Sequence, residues 1–231
     1  MVYLAAIPQD INAAKLCGYQ LAYITRRLGE PRAGRGGLMV FSDTGGNPEP
    51  PRAADLIAEC KFRGCKGLAL DFEGGFKQKF FDLAAELNIL CASESLALIV
   101  NRRYRQPNAI TLASSAQSSG SLRQRLARYG RNTMLEIERL AQDITLPAPQ
   151  GRGLTVSRAE LSRLTESRAT FFSNELLARY FTYKDASGAT HFVIYDDAVS
   201  ISKKIALANS LGLYGVIMLY SEVRDIIHEI L

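Results

Sequence analysis

Two carboxylates one residue apart, Asp71 and Glu73, close the apolar run Gly67-Leu68-Ala69-Leu70. Side chains alternate along an extended strand, so Ala69, Asp71 and Glu73 share one side while Leu68, Leu70 and Phe72 share the other. Two acids held this close repel, which raises the pKa of one of them. A protonated acid beside an ionised one is what cleavage of a glycosidic bond uses. The same pair would also cap a following helix or bind arginines, and spacing alone leaves both readings open. Glu136 and Glu138 repeat the alternation further on, so one of them can face the same cavity, with Glu138 expected at the surface. A metal-assisted hydrolase built on Asp71, Glu73 and Glu136 is a third arrangement, set apart by metal dependence.

Other candidate chemistry is thinner. Gly34-Arg35-Gly36-Gly37 precedes a strand instead of opening a helix, so it reads as a tight turn and not a phosphate loop. Ser118-Ser119-Gly120-Ser121 is placed to cap a helix from Leu122, and neither His191 nor His228 stands in a nucleophile-elbow context. His191 is expected to begin a strand and His228 to be exposed. Cys17, Cys60, Cys65 and Cys91 lack the paired spacing of a structural zinc site and read as reduced core residues.

The elements that must position the acids follow from punctuation and periodicity. The chain has 231 residues, 47% hydrophobic and 22% charged, which suits one α/β barrel and excludes a disordered chain. Val2 to Ile7 reads as a short strand. Asp10 caps a helix expected to run to about Leu28, with Ile11, Ala14, Gly18, Leu21, Ile24 and Leu28 at helical spacing. Residues 37–42 form a buried strand, a helix runs from about Pro51 to Arg63, and residues 67–71 form the next strand. After Gly74-Gly75 a helix presents Phe76, Phe80, Leu83, Ala84 and Leu87 on one face. Further strands are expected at 89–92, 109–113, 134–140, 192–195 and 215–220, and helices at 121–129, 157–167, 199–211 and 222–230. Apolar strands alternating with helices imply a parallel sheet covered on both faces. Seven or eight of them favour a closed (β/α)8 TIM-type barrel, compact and irregular, as a single domain over 1–231. The Pro/Gly-punctuated stretch 143–190 reads as an insertion or hairpin within it.

Net charge is +5, but Arg26-Arg27, Arg32/Arg35, Arg102-Arg103/Arg105 and the run from Arg123 to Arg131 lie far apart in sequence. They read as solvated surface, without the basic stripe and interleaved aromatics of a nucleic-acid binder. No apolar run reaches the roughly 20 residues that cross a bilayer. The N-terminus has no basic n-region, so a cytoplasmic location is expected, with an extracellular or spore-associated one as the alternative for a trimmed chain.

The stretch Gly67-Leu68-Ala69-Leu70-Asp71-Phe72-Glu73 resembles the fourth-strand signature D-G-x-D-x-D-x-E of glycoside hydrolase family 18, the chitinase-like barrels. A second stretch resembles the family's closing segment: His191-Phe192-Val193-Ile194-Tyr195-Asp196-Asp197, then Ser200, Lys203-Lys204 and 211–218. In the family a Tyr-Asp-Asp turn, a Ser, a Lys-bearing helix and a Gly-rich strand follow in that order. Residues 37–42 with Gly45-Gly46 are similar to its third strand. The resemblance implies substrate-assisted hydrolysis of a β-linked N-acetylhexosamine saccharide of chitin or peptidoglycan type, without a cofactor. Glu73 would protonate the glycosidic oxygen, and Asp71 would orient the acetamide that attacks the anomeric carbon. Substrate contacts would come from Tyr195, Asp196, Glu136, Ser42 and Tyr220, with Tyr195 and Asp196 at the cleft rim or in the turn into the last long helix. The implied partner is an amino-sugar oligosaccharide, with neither nucleic acid nor membrane; the oligomeric state cannot be read.

The signature is incomplete. Lys66 and Ala69 stand where its first and middle Asp belong, Leu219 takes the place of a sugar-stacking indole, and the chain has no tryptophan. Losing that ring removes about 0.5–1.5 kcal/mol of contact. The second expectation is therefore a degenerate barrel that binds carbohydrate or a protein partner without hydrolysis.

Overall fold

A short strand that is apolar on both faces needs cover on both sides, and closure of the sheet on itself supplies the inner one. The structure, a computed structural model, describes residues 1–30, 34–43, 49–72, 74–148 and 153–230. Its first half comprises β1 (Val2–Ala6), α1 (Ile11–Lys15), β2 (Gln20–Thr25), β3 (Leu38–Ser42), α2 (Ala53–Phe62), β4 (Gly67–Asp71), α3 (Gln78–Ser93) and β5 (Ala97–Asn101). A single 3-10 turn, Arg102–Tyr104, follows, then β6 (Ile110–Ser114), α4 (Leu122–Ala127) and β7 (Thr133–Ile137). Next come β8 (Ala141–Leu146), β9 (Leu154–Thr155), α5 (Arg158–Thr165), β10 (Phe171–Ser173), β11 (Ala178–Lys184) and β12 (Thr190–Tyr195). The chain ends with α6 (Ala198–Ser210), β13 (Gly215–Leu219), α7 (Tyr220–Val223) and a 3-10 turn at Ile227–Glu229.

Eight parallel strands close in the order β1-β13-β7-β6-β5-β4-β3-β2, a (β/α)8 barrel. Alternate residues fill its interior, among them Tyr3, Ala22, Leu38, Val40, Ala69, Ile99, Met134 and Ile217. The odd-even partners pack outward: Met39, Leu68, Leu70 and Val100 against α2 and α3, and Leu4, Leu135 and Val216 against α6 and its neighbours. A Cβ on Gly67 would fall 2.5 Å from the Ala97 carbonyl oxygen, so only glycine lets β4 start beside β5.

The strands β8 to β12 form a five-stranded antiparallel sheet of order β10-β11-β12-β8-β9, inserted between β7 and α6. One face packs Phe181, Val193 and Tyr195 with Val156 and Leu164; Ile144, Ala178 and Ile194 gather with Leu140 and Leu176 in a second cluster. The strand expected at 192–195 thus belongs to this sheet and not to the barrel.

Three further expected elements differ, the first being the helix expected at 222–230, which is split into α7 and the 3-10 turn at Ile227–Glu229. The helix expected from Asp10 to about Leu28 ends at Lys15, and 20–25 is a barrel strand. Gly18, at φ +77°, turns the chain out of the helical path. Leu21 and Ile24 mimic helical spacing only because β2 is apolar on both faces. The strand expected at 89–92 is the end of α3, where Leu87 and Cys91 continue the buried helical stripe and Ile89 is exposed. Among the described residues no helix is long and apolar enough to cross a membrane.

Candidate active site at the barrel mouth

The carboxyl ends of the strands surround a cavity of about 360 Å3. Its floor is apolar, made by Val40, Ala69, Ile99, Leu112 and Ile217, with Leu219 on the wall. The polar groups stand above that floor: Ser42, Asp71, Glu136, Glu138, Glu222 and Arg26. This is the end of the barrel at which barrel enzymes carry out their chemistry.

Strand alternation places Asp71 above Ala69 and beside Ser42, its register partner on β3. The Asp43 N–H donates to the Asp71 carbonyl at 3.2 Å. The next residue, Phe72, points the other way and is 3% exposed. Its ring stacks on Phe80 at 4.3 Å and meets Tyr104 edge-on at 5.5 Å. The Asn101 amide donates to the Phe72 carbonyl at 3.1 Å. An aromatic cluster outside the barrel thereby fixes the strand end that presents Asp71 within it. Glu73 lies outside the described residues.

Across the cavity, Glu136 and Glu138 come from β7 and its extension, so both of the alternating acids line it. Glu222, on α7, is a member that sequence reasoning missed. Burial pushes its carboxyl above the usual carboxylate range, and the nearby Glu138 charge adds to this. The Arg139 N–H, which donates to Glu222 Oε2 at 3.2 Å, pulls the other way, as do the Arg158 and Arg139 charges. Arg26 was missed with β2, because a residue assigned to a helix cannot be placed at a strand end. The signal for Glu222 was weaker still: an acid in the first turn of a short helix after the last strand.

A ring of carboxylates over an apolar floor suits a neutral, hydroxyl-rich ligand and a transition state that gains positive charge. No aromatic ring lines this cavity among the described residues. Nor, among them, do three His, Cys, Asp or Glu side chains group as metal ligands.

The other expected contact residues sit elsewhere. The Asp196 side chain is fully buried, 2.6 and 2.7 Å from the Lys204 ammonium. It also accepts from the Ser200 hydroxyl at 2.8 Å and from the Leu140 N–H at 3.0 Å. Asp196 therefore holds the turn into α6 as a structural staple and does not line the mouth. Tyr195 is buried in the antiparallel sheet against Phe181 and lines, with Asp196, a second cleft that shares Glu222 with the mouth. Tyr220 packs against the core of α6 and α7, since Ile217 and Leu219 take the inward positions of β13. Of the expected contacts, the structure brings Asp71, Ser42 and Glu136 together and leaves Tyr195, Asp196 and Tyr220 away from the mouth.

No protein-family model and no curated protein sequence matches the chain. Solved structures do. A chitinase from Chromobacterium violaceum superposes with a TM-score of 0.65 at 16% identity, covering 100% of this chain and 97% of the other. The spore cortex-lytic enzyme SleL of Bacillus cereus gives 0.62 at 14%, covering 99% of this chain and 74% of that one. The Cycas revoluta GH18 chitinase in complex with (GlcNAc)3 gives 0.54 at 13%, covering 100% and 98%. At these identities the likeness is one of architecture, and the chain has the barrel fold of the family 18 chitinases and spore cortex-lytic enzymes.

Proposed function

We propose that the chain is a glycosidase acting on β-linked N-acetylhexosamine saccharides of chitin or peptidoglycan type. The observation that carries the reading is Asp71 at the carboxyl end of β4, in a mouth lined by Ser42, Glu136, Glu138 and Glu222. Glu73, two residues on, is the general acid that gives its proton to the glycosidic oxygen. The sugar's acetamide carbonyl attacks the anomeric carbon, and Asp71 orients that acetamide and offsets the positive charge it acquires. Glu136 accepts a hydrogen bond from the substrate across the cavity. The likeness in fold to chitinases, one of them in complex with (GlcNAc)3, supports the substrate class.

A second reading is favoured by Ala69, buried in the barrel core where the signature has its middle acid, and by a mouth whose described lining holds no aromatic ring. On this reading the mouth binds an amino-sugar oligosaccharide without cleaving it. Fluorophore release from short N-acetylglucosamine glycosides decides between them. Hydrolysis in the wild type that falls by about 10²-fold or more in Glu73→Gln, with folding unchanged, supports the glycosidase. Absence of turnover in both, with a thermal shift on adding the oligosaccharide that Asp71→Asn abolishes, supports the binding module.

A further inference from the structure

The barrel has a second polar centre, on its outer surface. Whereas α2 and α3 join the preceding pairs of strands, β5 and β6 are joined by one 3-10 turn and a loop, and α4 is short. The gap leaves a groove of about 360 Å3 over the outward faces of Thr111 on β6 and Thr133 on β7. Their strand neighbours Ile110 and Met134 belong to the interior, so this groove and the mouth lie on opposite sides of the barrel wall.

Four arginines line the groove: Arg102 and Arg105 from the β5–β6 connection, Arg125 and Arg128 from α4 and its end. The two groups are about twenty residues apart in sequence, and the fold brings them together. No carboxylate is among the described lining residues, and among the described residues none of the four arginines forms an ion pair. The Arg125 guanidinium is fixed by donating to the Ser114 carbonyl at 2.6 Å. Its Nε is nevertheless buried without an acceptor, and so is Nε2 of Gln106, a lining residue only 8% exposed. A cluster of like charges without a carboxylate among them is repulsive, and one oxyanion in the groove would offset that. Planar guanidinium forks are matched to tetrahedral phosphate oxygens. Tyr129, with Arg102 above its ring at 5.9 Å, supplies an apolar face beside the cationic part. The volume exceeds what a bare phosphate needs and falls in the range of small-ligand sites.

We propose that the groove between the β5–β6 connection and α4 is a binding site for a phosphate group, either inorganic phosphate or a small phosphomonoester. Arg102, Arg105, Arg125 and Arg128 surround the anion, with Gln106 beside them. The site does not depend on the glycosidase reading, since it shares no residue with the mouth.

Calorimetric titration at low salt with inorganic phosphate, glucose 6-phosphate and glucose tests this. One saturable site for the phosphates and none for glucose is expected. The exposed double variant Arg105→Gln, Arg128→Gln should weaken binding about tenfold or more. Lys184→Gln, an exposed cation on the antiparallel sheet, should leave it unchanged. Tighter binding of glucose 6-phosphate than of phosphate assigns the site to a phosphomonoester; equal affinity assigns it to the free ion. Absence of saturation, equal binding by the double variant, or a single-stranded oligonucleotide that phosphate fails to displace would overturn the proposal.

Discussion

Asp71 and Asp196 each leave the carboxyl end of a strand, and each stands in a stretch that resembles the same family, yet their surroundings are opposite. Asp71 opens onto a cavity floored by Ala69 and walled by other acids. Asp196 is enclosed by Lys204, Ser200 and the Leu140 N–H, with no exposed side-chain surface. The difference comes from what each strand does next. β4 is a barrel strand whose inward positions end at the mouth. β12 belongs to the inserted sheet, and the chain must turn straight from it into α6. A motif held in common can therefore preserve a fold as readily as a reaction.

The largest expected effect breaks the enclosed site. Lys204→Met leaves the Asp196 carboxylate buried without its counter-charge, at a cost of about 3–5 kcal/mol. A denaturant midpoint close to that of the wild type would put the staple's contribution in doubt. Adding Asp196→Asn to that variant should recover part of the loss. The contrasting change, Asp71→Asn, is expected to lower stability by less than about 1 kcal/mol while turnover falls about 10²-fold. If instead it unfolds the protein, the two aspartates are alike and the contrast fails.

Smaller changes sharpen the picture. Asp197, next to the staple, accepts from the Ser200 N–H at 2.8 Å while its own N–H donates to the Ser200 hydroxyl at 2.9 Å, a reciprocal cap on α6. Asp197→Ala should cost about 1 kcal/mol by thermal denaturation, without altering affinity at the mouth. The smallest effect lies on the inserted sheet, where His191 Nδ1 is 2.8 Å from Asp143. The Asp143 hydrogen bond raises the His191 pKa above its ordinary 6.5, with Asp185 adding to it. This contribution is complete below pH of about 6.5 and lost as pH rises through the raised folded value. Stability should decline slightly over that window, and Asp143→Asn should flatten the decline.

Much of this was legible because it is local. The alternation through Ala69, Asp71 and Phe72 can be read from four residues, and the buried stripe Phe80, Leu83, Leu87 on α3 from eight. Two kinds of feature were hidden. β2 is buried on both faces, which erases the period of two and left Arg26 unassigned. Glu222 and the four-arginine groove depend on closure, which joins segments whose spacing carries no trace of their meeting. Charges that read as dispersed along the chain are dispersed only along the chain.

The pair of hydrogen bonds between Leu140 and Asp196 has a bearing on how this molecule is assembled. Asp196 donates its N–H to the Leu140 carbonyl at 2.8 Å, while its carboxylate takes the Leu140 N–H at 3.0 Å. The strands β8 to β12 thus leave and re-enter the barrel through one doorway. The strand ladder that closes the barrel includes none of the strands beyond it. The eight strands shut the frame by themselves, but the insertion is an annexe that stays tied to the rim: Arg158 donates to the Ser221 and Glu222 carbonyls at 3.0 and 2.7 Å, and the Glu175 carbonyl accepts from the Leu122 N–H at 2.8 Å, so a change in the annexe reaches the carboxylates inside through Glu222.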